Sequence, residues 1–172
     1  MTITQTSVPE QSRLHATAQQ AYFCDTYTMP MEGQAGSALA LTLHVLARTP
    51  RWIDALMKLR NRMVALVGLK NVGALSNIDP VKPADSYRVG DNVGAFSIVS
   101  LDENEVVLGD SDKHLDAQVS FCKYHDSEPR MAITTSVQVH NLLGRIYLLF
   151  VVPVHKLIVP AMLRVAATSP TS

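Results

Sequence analysis

What the chain lacks narrows its function before any motif is read. Its charges are balanced, fifteen Lys and Arg against fifteen Asp and Glu, and they interleave with no basic run. No overall field therefore draws it to nucleic acid or to an anionic membrane. Two cysteines are present, Cys24 and Cys122, each inside an apolar stretch and neither in a Cys-x-x-Cys pair. That argues against a disulfide framework and a zinc site, and for reduced core thiols in a cytoplasmic protein. The opening MTITQTSVPEQSRLHATAQQ has neither a charged n-region nor an apolar h-region, so it does not read as a secretory leader. Poor in large apolar residues, it reads as a loose tail over residues 1–20.

Signature loops are missing too. GLKNVG and GDNVG make neither a P-loop nor a dinucleotide fingerprint, and no Ser or Cys sits in a nucleophile elbow. GDSDKHLD (109–116) gathers Asp110, Asp112, His114 and Asp116. It lacks the Gly and Glu of a calcium loop, and its residues suit a solvated hairpin, with His114 and Asp116 on the wet face. No metal and no cofactor are expected.

What is present is one domain, read over residues 21–166, with a short tail at 167–172. LLGRIYLLFVVPVHKLIVPAML (142–163) is its most apolar stretch. A membrane span needs roughly 20 apolar residues. Here His155 and Lys156 would fall near the middle, where a Lys costs on the order of 2.5–3.5 kcal/mol, and Pro153 and Pro160 interrupt the run. A span is rejected on those grounds. As a helix the stretch has two sides: Tyr147, Val151, Val154, His155, Ile158 and Met162 on one, Arg145, Lys156, Arg164 and both prolines on the other. The prolines should bend it.

Elsewhere 21–30 reads as a first strand and 36–47 as a helix. TPRWIDALMKLRNRMVALVGL gives the clearest helix, with Thr49 as N-cap, Pro50 in the first turn and Gly68 closing the end. A linker follows over 70–93. Strands are expected at 94–101, 104–110, 113–125 and 129–141, bounded by turn formers, in an antiparallel meander. In the last two, Leu115, Ala117, Val119, Phe121 and Met131, Ile133, Thr135, Val137, Val139 form an apolar face, and the intervening residues a wet one.

The pieces TPRWIDALMKLRNRMVALVGL, YRVGDNVGAFSIVS, EVVLGDSDKHLDAQVS and VHNLLGRIYLLFVVPVHKLIVPAML, in that order, resemble the domain of unknown function 2867 family over about residues 20–165. The resemblance implies an α+β fold of the helix-grip kind (START-like, the SRPBCC superfamily): a curved antiparallel sheet gripping a long C-terminal helix, with a cavity between them. Members occur alone or fused behind nicotinamide-binding dehydrogenase-like domains. No catalytic residues are carried over.

The candidate pocket residues are therefore chosen from their positions. On the 50–67 helix, Trp52, Leu56, Leu59, Met63, Leu66 and Val67 form an apolar stripe, and Arg60 intrudes beside it. Its guanidinium is expected either to pair internally or to receive an anionic ligand. His155 is either a satisfied core histidine or a polar contact, and Tyr147 shares its side of the C-terminal helix. With Val119, Phe121, Ile133, Val137 and Val151, these outline a cavity for a small amphipathic or hydrophobic ligand. The alternatives are a cyclase- or aromatase-like enzyme using His155 or Tyr147, and an accessory domain partnering a nicotinamide-dependent oxidoreductase.

Overall fold

The structure, a computed structural model, describes residues 3–31, 36–65 and 73–168. Its β-branched, alternating segments become strands because each can bury one set of side chains while pairing its backbone on both sides. In chain order the strands are β1 (Thr4–Gln5), β2 (Phe23–Pro30), β3 (Asn92–Val93), β4 (Phe96–Leu101), β5 (Glu105–Ser111), β6 (Leu115–His125) and β7 (Pro129–Val139). All pair antiparallel in one open sheet ordered β1-β2-β7-β6-β5-β4-β3. The last five strands form the expected meander, and β2 returns to pair with β7. Between β2 and β3 lie α2 (Ala38–Ala47) and α3 (Arg51–Ala65); a short α1 (His15–Ala18) precedes β2, and α4 (Leu142–Thr168) ends the domain. The architecture is α+β in a helix-grip arrangement.

Register fixes which residues share the concave face. One row runs Tyr27, Ile133, Phe121, Val106 across β2, β7, β6 and β5; the next runs Asp25, Thr135, Val119, Leu108. Tyr27, Met29, Met131, Ile133 and Phe121 form the main core with Leu39, Leu41, Val45 and Leu46 of α2, Ile53 of α3, and Met162, Leu163 and Ala166 of α4. Each such Leu or Met removed from water is worth about 1.5–3 kcal/mol. A smaller cluster, Leu115, Val137 and Leu148 with Phe23, Tyr147 and Val152, packs under the first half of α4.

α4 is continuous through both prolines. Leu149 and Lys156, whose carbonyls lose their intrahelical donors to the prolines, are both exposed, so the loss falls on the solvent side, where it is tolerated. Asn141 starts the helix: its Oδ1 accepts from the Gly144 N–H at 3.1 Å, and its Nδ2 donates to the Lys113 carbonyl at 3.1 Å and to His114 Nδ1 at 2.9 Å. Gly144 sits tightly against the β5–β6 turn. A Cβ there would lie 2.5 Å from the His114 carbonyl oxygen.

Several expectations are corrected. The stretch read as a loose tail crosses the convex face of the sheet: Thr4 and Gln5 pair with β2, and Ser12 and Leu14 are buried. Ser12 Oγ donates to Glu105 at 2.7 Å, Ser120 Oγ donates to the same carboxylate at 2.5 Å, and the Arg13 N–H completes the set at 2.9 Å. The convex face is accordingly polar but not wet along this path, with Ser120 and Thr134 fully buried. His114, expected on the wet side, is buried against Asn141. On α3 the buried side belongs to Ile53, whereas Trp52 and Leu59 are 46% and 53% exposed; the amphipathic stripe was assigned to the wrong flank. Thr49 donates its hydroxyl to the Leu46 carbonyl at 2.7 Å, closing α2. The side chain of Met63, the residues Leu66 and Val67, and the stop at Gly68 lie outside the described residues.

Candidate functional site

Under the middle of α4 the core is interrupted by charge. Asp25 stands on the concave face of β2 between Phe23 and Tyr27, its side chain only 2% exposed. Its Oδ1 lies 3.1 Å from His155 Nε2. The imidazole reaches it because His155 falls between the two apolar contacts of α4, Leu148 and Val152 on one side and Ile158, Val159 and Met162 on the other. The Phe23 ring meets the imidazole edge-on, with centroids 5.6 Å apart.

Two oxygens here are left over. Among the described residues Asp25 Oδ2 is buried with no hydrogen-bond partner, and so is Oγ1 of Thr135, the residue directly opposite on β7. Leaving such atoms unsatisfied costs roughly 1–3 kcal/mol each, and more for a charged group. Native interiors tolerate this mainly where a water, ligand or reaction uses the group. The carboxylate is felt by its neighbours: burial first, then the nearby Asp25 charge, pushes up both the Cys24 thiol and the Tyr27 phenol.

Four expected pocket residues surround this pair. Val119 is next to Thr135 in its row, Ile133 and Val137 flank Thr135 along β7, and Phe121 lies opposite Ile133. His155 joins them, and Val151 is half-buried on α4. Met29, Met131, Phe121 and Met162 are all buried between this sheet face and the helices. One surface groove adjoins this region, and another lies at the β4–β5 turn. The first, of about 290 Å3, runs along α4 and is lined by Tyr22, Phe23, Arg145, Leu148, Leu149, Val152 and Pro153, so it shares Phe23 with the His155 contact. The other, about 430 Å3, lies near Tyr87 and Arg88.

Arg60 and Tyr147 form a separate unit. Arg60 Nε donates to the Tyr147 hydroxyl at 2.8 Å, its Nη1 donates to Asn61 Oδ1 at 3.0 Å, and the guanidinium lies 5.3 Å from the Tyr147 ring centroid. Of the two readings of Arg60, internal pairing has these visible partners. Trp52 is half-exposed and Leu56 half-buried on α3.

Asp25 escaped the sequence reading. The single signal available was an acid at the centre of an otherwise apolar first strand, AYFCDTYTMP. The 109–116 hairpin is a turn: Asp112 Oδ1 accepts from the His114 and Leu115 N–H groups at 2.6 and 3.0 Å. Asp116 meets Ser111 and His140. Among the described residues there is no group of three or more His, Cys, Asp or Glu able to hold a metal ion.

With this geometry in hand, the comparison with known families is decisive for membership. The family described as Protein of unknown function (DUF2867) matches residues 17–162 of the 172. The chain belongs to that family. No curated protein and no solved structure matches it. Membership in DUF2867 fixes no substrate or reaction, so the functional reading rests on the Asp25–His155 pair and its surroundings.

Proposed function

We propose that this DUF2867 domain binds a small amphipathic organic molecule whose polar end donates a hydrogen bond to Asp25. The observation that carries the reading is the pair of unpartnered buried oxygens, Asp25 Oδ2 and Thr135 Oγ1, on opposed residues of neighbouring strands. A carboxylate oxygen only accepts, so the ligand group must be a hydroxyl or an amine; a carboxylate would set two anions together. The apolar body takes the groove beside α4, and the Phe23 ring, which separates that groove from His155, swings aside to admit the polar end. The methionines of the core yield because their unbranched side chains repack at low cost.

The test is a thermal-shift series of medium-chain alcohols, amines and carboxylic acids sharing one alkyl chain. Alcohols and amines stabilise the domain, by about 2.7 kcal/mol at a hundredfold excess over Kd. The acids do not, and Asp25→Asn removes the preference for amines. Equal stabilisation by the acids, or none by any member, refutes the reading.

A second reading is favoured by one specific feature, the 3.1 Å contact between buried Asp25 and a His155 side chain that is itself 20% exposed. Such a carboxylate orients an imidazole, so His155 would exchange protons with a substrate in the groove. Loss of a turnover activity in His155→Gln with ligand affinity intact would favour this enzyme over a pure binding module.

A further inference from the structure

The outer side of α4 is the least explained surface of the molecule. Leu142, Ile146, Leu149, Phe150 and Leu157 are 69, 44, 70, 71 and 68% exposed. At helical spacing they fall in one line, roughly 22 Å long at roughly 1.5 Å per residue. Only 17% of the helix's most apolar window is buried, although by length and composition the helix could cross a bilayer. Exposed Tyr22, beneath the Arg145 guanidinium at 5.9 Å, extends the patch sideways. A contiguous apolar surface of this kind marks an interaction site.

Charge selects the occupant. The 27 residues of α4 include Arg145, Lys156 and Arg164 but no Asp or Glu. All three cations are exposed. Arg145 and Lys156 lie along one edge of the apolar line at helical spacing, and Arg164 continues the line itself. A second copy fits poorly: two α4 helices packed face to face bring together two sets of cations and no carboxylate from either. An anionic lipid surface fits both features, because an interfacial helix buries its apolar side in the headgroup boundary while flanking Lys and Arg meet the lipid phosphates. The zero net charge of the chain conceals this local asymmetry. Full insertion is disfavoured by structure as well as by sequence. It would strip α4 from the sheet and uncover Asp25 and Leu163, and the carbonyls freed by Pro153 and Pro160 need the water of the interface.

We propose that the outer face of α4, from Leu142 to Leu157, docks this domain flat onto an anionic membrane surface. The patch shares Tyr22, Arg145 and Leu149 with the groove of the ligand reading, but it does not rest on that reading, and flotation reads docking whether or not Asp25 has a ligand. It is tested by flotation of the full chain with vesicles of phosphatidylcholine alone and of phosphatidylcholine mixed with phosphatidylglycerol. The chain floats with the mixed vesicles and is released by salt. The double variant Arg145→Gln, Lys156→Gln binds them about thirtyfold more weakly. Leu149→Ser with Phe150→Ser abolishes flotation while circular dichroism stays unchanged, because both side chains are already solvated. Failure to float, equal binding to both vesicle types, or full binding by the charge variant overturns the proposal. So does a dimer in light scattering, without flotation, that the Leu149→Ser, Phe150→Ser variant disperses: the face would then belong to a second copy.

Discussion

Asp25 and His155, 130 residues apart in the chain, meet at 3.1 Å beneath the middle of α4. This contact ties the C-terminal helix to the first long strand through an acid and a histidine set in an apolar neighbourhood. Removing one member leaves the other without its partner in a place that solvates it poorly. His155→Leu should therefore destabilise the domain by about 3–5 kcal/mol, and Asp25→Leu with His155→Leu should recover most of the loss. Urea denaturation of the three variants and the parent measures both numbers; a double variant as unstable as His155→Leu alone would show that the pair is not what is lost.

Gly144 is expected to tolerate no side chain. Its Cβ would lie 2.5 Å from a backbone oxygen and 2.9 Å from Val139 Cγ1, so α4 must shift off the sheet in Gly144→Ala. A loss of about 1–3 kcal/mol is expected, overriding the better helix propensity of Ala. A raised melting temperature would contradict the close approach.

Acid should loosen the β4–β5 turn. Burial pushes the Asp102 carboxyl up, but the Asn104 and Glu105 N–H groups and the Arg13 guanidinium outweigh it and hold the carboxyl below the usual aspartate range. A depressed folded-state value adds stability above the unfolded value of about 3.9, and that stability is lost as pH falls through the folded value. The acid limb of the stability curve should be shallower in Asp102→Asn, with less than about 1 kcal/mol lost at neutral pH because the Arg13 pair is exposed. An unchanged acid limb would remove Asp102 from the account.

The thiols should be unreactive. Burial first, and then the Glu105 and Asp102 charges, push Cys122 up to about 12; burial and Asp25 raise Cys24. Since the thiolate is the reactive form, a disulfide reagent at neutral pH should label neither residue in the folded chain and both after denaturation. Rapid labelling of Cys122 in the folded protein would mean that this face of the sheet opens.

Trp52 heads the stripe that sequence alone assigns to the core, yet it is 46% exposed. Trp52→Ala should then cost about 1 kcal/mol or less, well short of the roughly 3–5 kcal/mol of a buried aromatic. Denaturation midpoints of the parent and variant decide it.

The sequence by itself determined the long elements from residue 21 onward. Alternation along 113–125 and 129–141 located β6 and β7, turn formers bounded the meander, and the apolar run at 142–163 announced α4. These signals are local, set by the two-residue period of a strand and by the need of a long apolar run for a partner surface. Periodicity also selected Val119, Phe121, Ile133 and Val137 as residues of one sheet face, and His155 as one of the inward side of α4. It could not say which flank of α3 faces inward, because its own residues make both Ile53 and Trp52 plausible anchors and only docking chooses. Nor could it see that residues 3–18 cover the convex face, since the partners of Ser12 there, Glu105 and Ser120, are distant in sequence. The Asp25–His155 contact belongs to the same class. Antiparallel pairing of β2 with β7 put Asp25 opposite Thr135, and the packing of α4 across them brought His155 within hydrogen-bond distance. A carboxylate's partner is fixed by where the chain returns, and that is decided only when sheet and helix close on each other.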